Sequence, residues 1–355
     1  MFLALREIRH QRTRFGLIVA AIALVSYLAF FLSSLAFGLA HSYRATIDRW
    51  DASGVVLTDA SNKNIMASRL EESQQQTAES LSDSASLVVV SGVLEKGDRR
   101  TDAFTFGVDL DSFLAPEITE GRAISDPDTE VVADHSLTQE GWSLGDTFRL
   151  SGSDHEWTIV GFSDDETFQA APVVIADQKA LLADAPRSLS PTVNAVVTRS
   201  DPSSAQRDDL SQAGLEMMDV DDFIKTLPGY QPQVLTFSLM IGSLVVIASF
   251  VLGIFVYVLT LQKREVLGIL KARGVPTSYL VRSGAAQTAV LSVVGVAVGL
   301  ALTVLTSLLL PDKVPFRTSV TLDAVVAAAF ILFSVIGGLA SVRVITRIDP
   351  VEAIS

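Results

Sequence analysis

Four stretches of this chain run uncharged for long enough to cross a lipid bilayer, and that fact constrains the fold more than any other. Phe15 to Ala40 holds 26 residues without Asp, Glu, Lys or Arg, Val234 to Leu261 holds 28, Ser283 to Leu310 holds 28 and Ala324 to Val342 holds 19. About 20 apolar residues cross the hydrocarbon core, so each run is long enough to be a transmembrane helix. A hydrophobic share of 49% and a mean hydropathy of +0.40 agree with a membrane protein. Roughly 190 polar, acidic residues separate the first run from the second, against about 20 and 13 in the other two connections. One globular domain is therefore inserted into a four-helix membrane unit.

Lys and Arg distribution predicts the orientation, because short cytoplasmic loops are enriched in them. The segments before the first run, between the second and third, and after the fourth carry 11 Lys and Arg against four acids, a net of +7. The overall charge is -13, which leaves -20 for the inserted domain and the third connection. Both termini are expected in the cytoplasm and the large domain outside, in a multi-pass protein of the plasma membrane. The first run follows basic residues and closes on small ones ("AFGLA"), as a signal peptide does, but its length predicts a retained span.

These boundaries predict an amphipathic elbow helix at 1–14 ("MFLALREIRHQRTR") and a first span at 15–44 that continues helically through "HSYRATIDRW". An extracytoplasmic domain at 45–230, a second span at 231–261 and a cytoplasmic segment at 262–282 follow. The remainder is a third span at 283–310, an outer loop at 311–323, a fourth span at 324–343 and a tail at 344–355. In the inserted domain, "SASLVVVSGVL", "DAFTFGVD", "TEVVAD", "DTFRLSG", "EWTIVGFSD", "APVVIAD" and "VNAVVTRS" read as strands. "NIMASRLEESQQQTAESL", "DQKALLADA" and "SSAQRDDLSQAGLEM" read as helices, so the domain is expected to be α+β. "GVAVG" at Gly295 and Gly299, and the Gly337 and Gly338 pair, are small-residue motifs that suit either intrachain packing or a subunit contact.

Several chemistries lack their residues. No G-x-x-x-x-G-K-[ST] occurs, so any ATP used must bind another chain; "HEWTI" fails H-E-x-x-H, and no G-x-S-x-G is present. The chain itself is therefore not expected to be an enzyme. With no cysteine, disulfides, thiolate metal sites and cysteine nucleophiles are excluded. The acidic charge disfavours nucleic acid. Inside the spans only weakly polar groups such as Ser26, Tyr27, Ser243, Tyr257 and Gln287 occur, which argues against an ion or proton path and places the energy source elsewhere.

The segment "LQKREVLGILKARGVP" stands out between two spans. Val266, Ile269 and Leu270 fall at i, i+3 and i+4, Lys263, Arg264, Lys271 and Arg273 take other faces, and Gly274 with Pro276 ends the pattern. An apolar stripe with a defined stop fits a docking helix better than a solvated loop. "REVLGILKARGVP" resembles the cytoplasmic-loop signature of the FtsX-like, macrolide-exporter-type (type VII) permeases of ABC transporters. "ITRIDPVEAIS" resembles that family's C-terminal ending, "LALREIRHQRTRFGL" its N-terminal elbow, and "LGDTFRLSGSDHEWTIVGFSDD" its outer-domain core.

The resemblance implies a homodimeric permease working with two copies of a separate ATPase, which would hold ATP and Mg, while this chain holds no cofactor of its own. Glu265, Ile269, Leu270, Lys271, Arg273 and Gly274 match the family motif and would form the ATPase-coupling element. The implied mechanism is mechanotransmission from the ATPases along the first and second helices to the outer domain. An outer domain of this size resembles that of the haem-efflux permeases of Gram-positive bacteria, which take an amphiphile from the outer leaflet between the first two helices. Phe37, His41, Tyr43 and Arg44, with Tyr230, Phe237 and Met240, would then line the substrate site. By the same resemblance Tyr230, His41 or Met240 would be the candidate ligand of haem iron and Arg44 the partner of a propionate. Export of another amphiphile (antibiotic, peptide or lipid) and regulation of an extracellular partner remain open alternatives.

Overall fold

The computed structural model describes residues 12–184, 192–262, 264–311 and 313–346. Most of the expected elbow at 1–14, and the tail beyond 346, lie outside these residues. The first helix, α1, spans Arg12–Arg49. After the inserted domain come α6 (Tyr230–Gln262), α7 (Arg264–Ala272), α8 (Thr277–Ser307) and α9 (Val320–Thr346). Stretches of α1, α6, α8 and α9 are each long and apolar enough to cross a membrane. The chain is thus a four-helix membrane protein with an α+β domain between its first and second membrane helices. It divides into a helical unit, 1–38 with 234–355, and an inserted unit, 39–233.

In the helical unit Phe15, Ile22, Phe30, Leu252, Leu291 and Phe330 form a shared core. Leu17, Leu24, Leu239, Phe250 and Ile254 face outward at more than 60% exposure. A contiguous apolar exterior is untenable in water and ordinary in lipid, where helices gain nothing from hiding leucine. What draws such helices together is close backbone approach. A Cβ built on Gly299 would sit 2.2 Å from Ser26 Oγ and 2.8 Å from the Tyr27 nitrogen, and one on Gly295 would sit 2.5 Å from Ile22 Cγ2. A Cβ on Gly337 would meet the Ser249 carbonyl oxygen at 2.6 Å. These three glycines therefore serve packing within the chain, one of the two roles their spacing allows. Among the described residues the buried polar side chains of this unit are serines and threonines; Thr260, Thr288 and Thr303 donate to the carbonyl four residues back.

The inserted unit is built on one mixed sheet. Its strands are β1 (Gly54–Thr58), β2 (Ser84–Lys96), β3 (Arg99–Val108), β4 (Glu120–Gly121), β5 (Glu130–Asp134), β6 (Thr147–Leu150), β7 (Trp157–Ser163), β8 (Thr167–Phe168), β9 (Ala171–Asp177), β10 (Ala195–Thr198) and β11 (Leu215–Asp219). The order is β11-β1-β10-β2-β3-β9-β5-β7-β4, with β6 against β2 and β7, and β8 against β9. Pairings are antiparallel except β3 with β9 and β5 with β7. The long β2–β3 hairpin pairs Lys96 with Arg99 across two residues, and Gly97 there takes φ +59°.

Strands alternate side chains between faces, and here both faces are covered. Val88, Val90, Val174 and Val196 pack with Ala78, Leu181 and Leu210 of α2 (Glu72–Glu79), α3 (Gln178–Asp184) and α4 (Ser204–Gln212). Leu87, Val89, Phe106, Val173 and Val197 pack on the other face with Phe223 and Ile224 of α5 (Val220–Thr226), and with Ile47 and Trp50 from the end of α1. Cover on two sides explains why "LVVV" reads as an unbroken apolar run. It also makes residues 39–49 of α1 a structural member of the inserted unit.

Three local expectations change. "NIMASRLEESQQQTAESL" is helical only over Glu72–Glu79. Its first part is tied to the sheet: Asn194 Nδ2 donates to the Ile65 and Ser68 carbonyls, and Ser68 Oγ accepts the Thr58 amide, so those residues are unavailable for a helical ladder. The helix in "SSAQRDDLSQAGLEM" stops at Gln212, Gly214 turns at φ +73°, and Leu215–Asp219 pairs with β1 as a strand. The strand "GVVLT" (β1) has no recognisable signature in the sequence, because five residues beside a helix end show no alternation.

Candidate functional site

The end of α1 carries four of the residues that sequence reasoning singled out, and the inserted unit brings three of its own together. The rings of Tyr43 and Tyr230 lie 5.9 Å apart and tilted by 55°. Gly229, at φ +83°, precedes Tyr230, and a Cβ there would come within 3.2 Å of the Tyr43 hydroxyl, so the turn into α6 needs a glycine beside that ring. Arg44 Nε donates to both oxygens of Asp48 at 2.8 and 2.9 Å, its Nη2 lies 3.5 Å from Asp221, and it also reaches the Tyr230 side chain. The guanidinium expected to meet a propionate thus already has carboxylate partners. His41 Nε2 lies 3.2 Å from Asp165. In the helical unit Phe37 and Met240 are exposed and Phe237 is half-buried. Among the described residues no group of three or more His, Asp or Glu is arranged to hold a metal ion.

Beside this cluster is one that the sequence did not disclose. The segment 163–170, which includes β8, grips the end of α1: the amides of Gln169 and Ala170 donate to the carbonyls of Tyr43 and Ser42 at 3.1 and 3.0 Å. Asp165, Gln169 and Ala170 hold φ of +58°, +51° and +62°, a costly region for residues with a Cβ, so the surrounding contacts must impose the segment's path. Between Asp165 and Gln169 lies Glu166, 1% exposed, whose carboxylate pairs with Arg49 Nε. Arg49 Nη1 and Nη2 also donate to the carbonyls of Ala115 and Leu114 at 2.8 and 2.9 Å. A second buried carboxylate, Asp134 at the end of β5, accepts the Glu166 amide at 2.8 Å and the Ser136 amide at 3.0 Å. Burial pushes Glu166 up to about 7, against the opposing pull of Arg49, and burial also raises Asp134. "IDRW" and "DDETF" carry no signal of this pairing, since each reads as an ordinary charged surface stretch.

At the other candidate site α7 keeps its sequence-assigned stop. The Gly274 amide donates to the Lys271 carbonyl at 2.9 Å and the Val275 amide to the Leu270 carbonyl at 3.1 Å, with Gly274 at φ +87°. This is a Schellman motif, and its characteristic apolar contact is supplied by Leu270 and Val275, both packed against the helical core. Val266 and Ile269 point outward at 60% and 44% exposure, Arg273 is exposed and Lys271 half-buried. The Glu265 side chain lies outside the described residues. The apolar stripe is therefore split: Leu270 fastens the helix to its own unit, and Val266 with Ile269 remain available.

Residues 238–350 match the family described as FtsX-like permease C-terminal. Over the whole chain the sequence is 26% identical to a Staphylococcus haemolyticus protein named as hemin transport system permease protein HrtB, covering 100% of this chain and 99% of that one. A Staphylococcus epidermidis protein of the same name is 25% identical over the same shares. An uncharacterised ABC transporter permease of Mycobacterium tuberculosis is 26% identical over 365 residues, covering 99% of each. Among solved structures, the extracellular domain of the noncanonic ABC-type transporter YknZ from Gram-positive bacteria aligns with 47% of this chain and 100% of its own, at 11% identity and a TM-score of 0.33.

Proposed function

From the premise that the chain is an ABC-type permease carrying an FtsX-like C-terminal domain at 238–350, we propose that it extracts haem from the outer leaflet of the plasma membrane. In this reading the inserted unit is extracytoplasmic, both termini are cytoplasmic, and two copies of the chain work with two copies of a separate ATPase that holds ATP and Mg. ATPase closure moves α7, and α1 and α6 carry the motion outward.

The observation that carries the reading is the pairing of Tyr43 with Tyr230, one at the end of α1 and one at the start of α6, beside Arg44. Two neighbouring aromatic rings and a cation suit a flat amphiphile with acidic groups. Two further facts favour cargo over an extracellular protein partner. Among the described residues of the inserted unit, Leu144 is the one large hydrophobic side chain that is exposed, so those residues form no apolar patch for docking. The relatives named for hemin transport align over their whole length.

Titrating the purified full chain with haemin is expected to give a protein-specific Soret shift that weakens at least several-fold in Tyr230→Ala and His41→Ala. An unshifted spectrum in the parent chain would end the haem reading and leave another amphiphile as the cargo. For the inner site, Ile269→Asp and Leu270→Asp are expected to release the ATPase in a pull-down. Ile269→Asp is the cleaner variant, because Ile269 is exposed and Leu270 also anchors the helix. An undiminished complex with Ile269→Asp would show that this face is not the docking surface.

A further inference from the structure

Glu166 and Asp134 are both almost wholly buried, at 1% and 3% exposure, and the Glu166 amide bonded to Asp134 brings them side by side. Arg49 is the one cation paired with either carboxylate among the described residues, and its guanidinium is divided between Glu166 and two backbone carbonyls. Two buried negative charges against one positive charge leave an uncompensated charge away from water, a costly state that uptake of one proton removes. The other groups facing the cluster do not supply the balance. From α1 come Thr46, a neutral neighbour of Glu166, and His41, which is bonded to Asp165. From the segment 163–170 itself come Asp164, bonded to His135, and Asp165, which adds negative charge near Asp134.

We propose that Arg49, Glu166 and Asp134 form a proton-binding site that fastens the end of α1 to the sheet, one proton being held while the helix end is docked and released when Glu166 reaches water. Its use rests on the reading above, in which α1 moves the extracytoplasmic unit; the site then links that movement to the pH outside the cell.

The sign follows from linkage. Docked Glu166 titrates at about 7 and the ordinary value is 4.5, so the docked state binds the proton more tightly. Acid therefore favours docking. The proton-linked contribution is complete below about pH 4.5 and is lost as the pH rises through about 7.

Hydrogen exchange on the full chain in nanodiscs, corrected for the intrinsic pH dependence of amide exchange, reads this directly. Gln169 and Ala170, whose amides donate to α1 carbonyls, are expected to be protected more than tenfold better at pH 5.5 than at pH 8.5. Glu166→Gln, which mimics the protonated acid, should keep the protection and make it independent of pH. Asp134→Asn removes the neighbouring charge and should move the midpoint to lower pH, a shift that a merely structural role for Asp134 would not produce. Flat protection in the parent chain, an unmoved midpoint in Asp134→Asn, or a pH dependence that survives in Glu166→Gln would each overturn the proposal. The haemin spectrum reports separately. A Soret shift with flat exchange overturns the proton site alone, and pH-dependent exchange without a Soret shift overturns the haem reading alone.

Discussion

Replacing Arg49 with methionine is expected to destabilise the inserted unit by about 3–5 kcal/mol near pH 8, the range for removing one partner of a buried ion pair. Methionine keeps the aliphatic bulk, so the loss isolates charge and hydrogen bonding. Glu166 and Asp134 would be left buried without a cation, and the carbonyls of Leu114 and Ala115 without their donor. The deficit should shrink at pH 5. Glu166 already titrates at about 7 in the folded state, and losing Arg49 raises it further. A group whose folded value is raised supports the fold most fully at low pH and loses that support as the pH climbs through the folded value. The measurement is clean, because all three tryptophans of the chain, Trp50, Trp142 and Trp157, lie in the inserted unit and each is only 1% exposed. Thermal unfolding followed by tryptophan emission therefore reports this unit and not the membrane helices. Equal loss at pH 5 and pH 8, or a loss below about 1 kcal/mol, would show that the cluster's charge balance is of no consequence.

Gly299→Val is expected to be the most damaging substitution in the helical unit, costing about 3 kcal/mol or more. Even the first added carbon meets Ser26 Oγ at 2.2 Å, the Tyr27 nitrogen at 2.8 Å and the Ala23 oxygen at 2.9 Å, two of which are backbone atoms that no rotamer change can move. α1 and α8 must then separate, losing the 3.4 Å Ser26 to Gly295 and Thr303 to Tyr27 hydrogen bonds on either side. Gly242→Val is the matched control, since a Cβ there meets nothing within 4 Å. The two variants should differ in the temperature at which detergent-solubilised protein ceases to be monodisperse, Gly299→Val failing well below the parent and Gly242→Val close to it. Similar behaviour of the two would mean that glycine at 299 serves helix flexibility rather than contact.

How legible each part was follows from the range over which its cause acts. The membrane helices were plain in the sequence because a bilayer imposes a length of uninterrupted apolar residues, a signal carried by neighbours in the chain. All seven strand-like runs of the inserted domain form strands, and the Gly274 stop of α7 is present, its geometry set within six residues. Of the outer candidates, Tyr43, Arg44 and Tyr230 do come together, but Arg44 is already engaged by Asp48 and Asp221. Helix spacing places Asp48 on its face, whereas Asp221 is far away in the chain. The split role of the α7 stripe was also hidden, because periodicity identifies an apolar face without saying which residues the helix's own unit consumes.

A four-helix membrane chain, an acidic α+β insertion and a capped amphipathic helix between two spans all follow from local pattern or from charge summed over a segment, so the amino-acid order alone carries them. Folding in three dimensions sets Gly295 and Gly299 against α1, and brings Arg49 from the end of that helix to the buried Glu166, whose amide is held by Asp134. Those arrangements depend on residues far apart in the chain meeting where water is excluded, and burial is what turns an ordinary glutamate into a group that titrates at about 7.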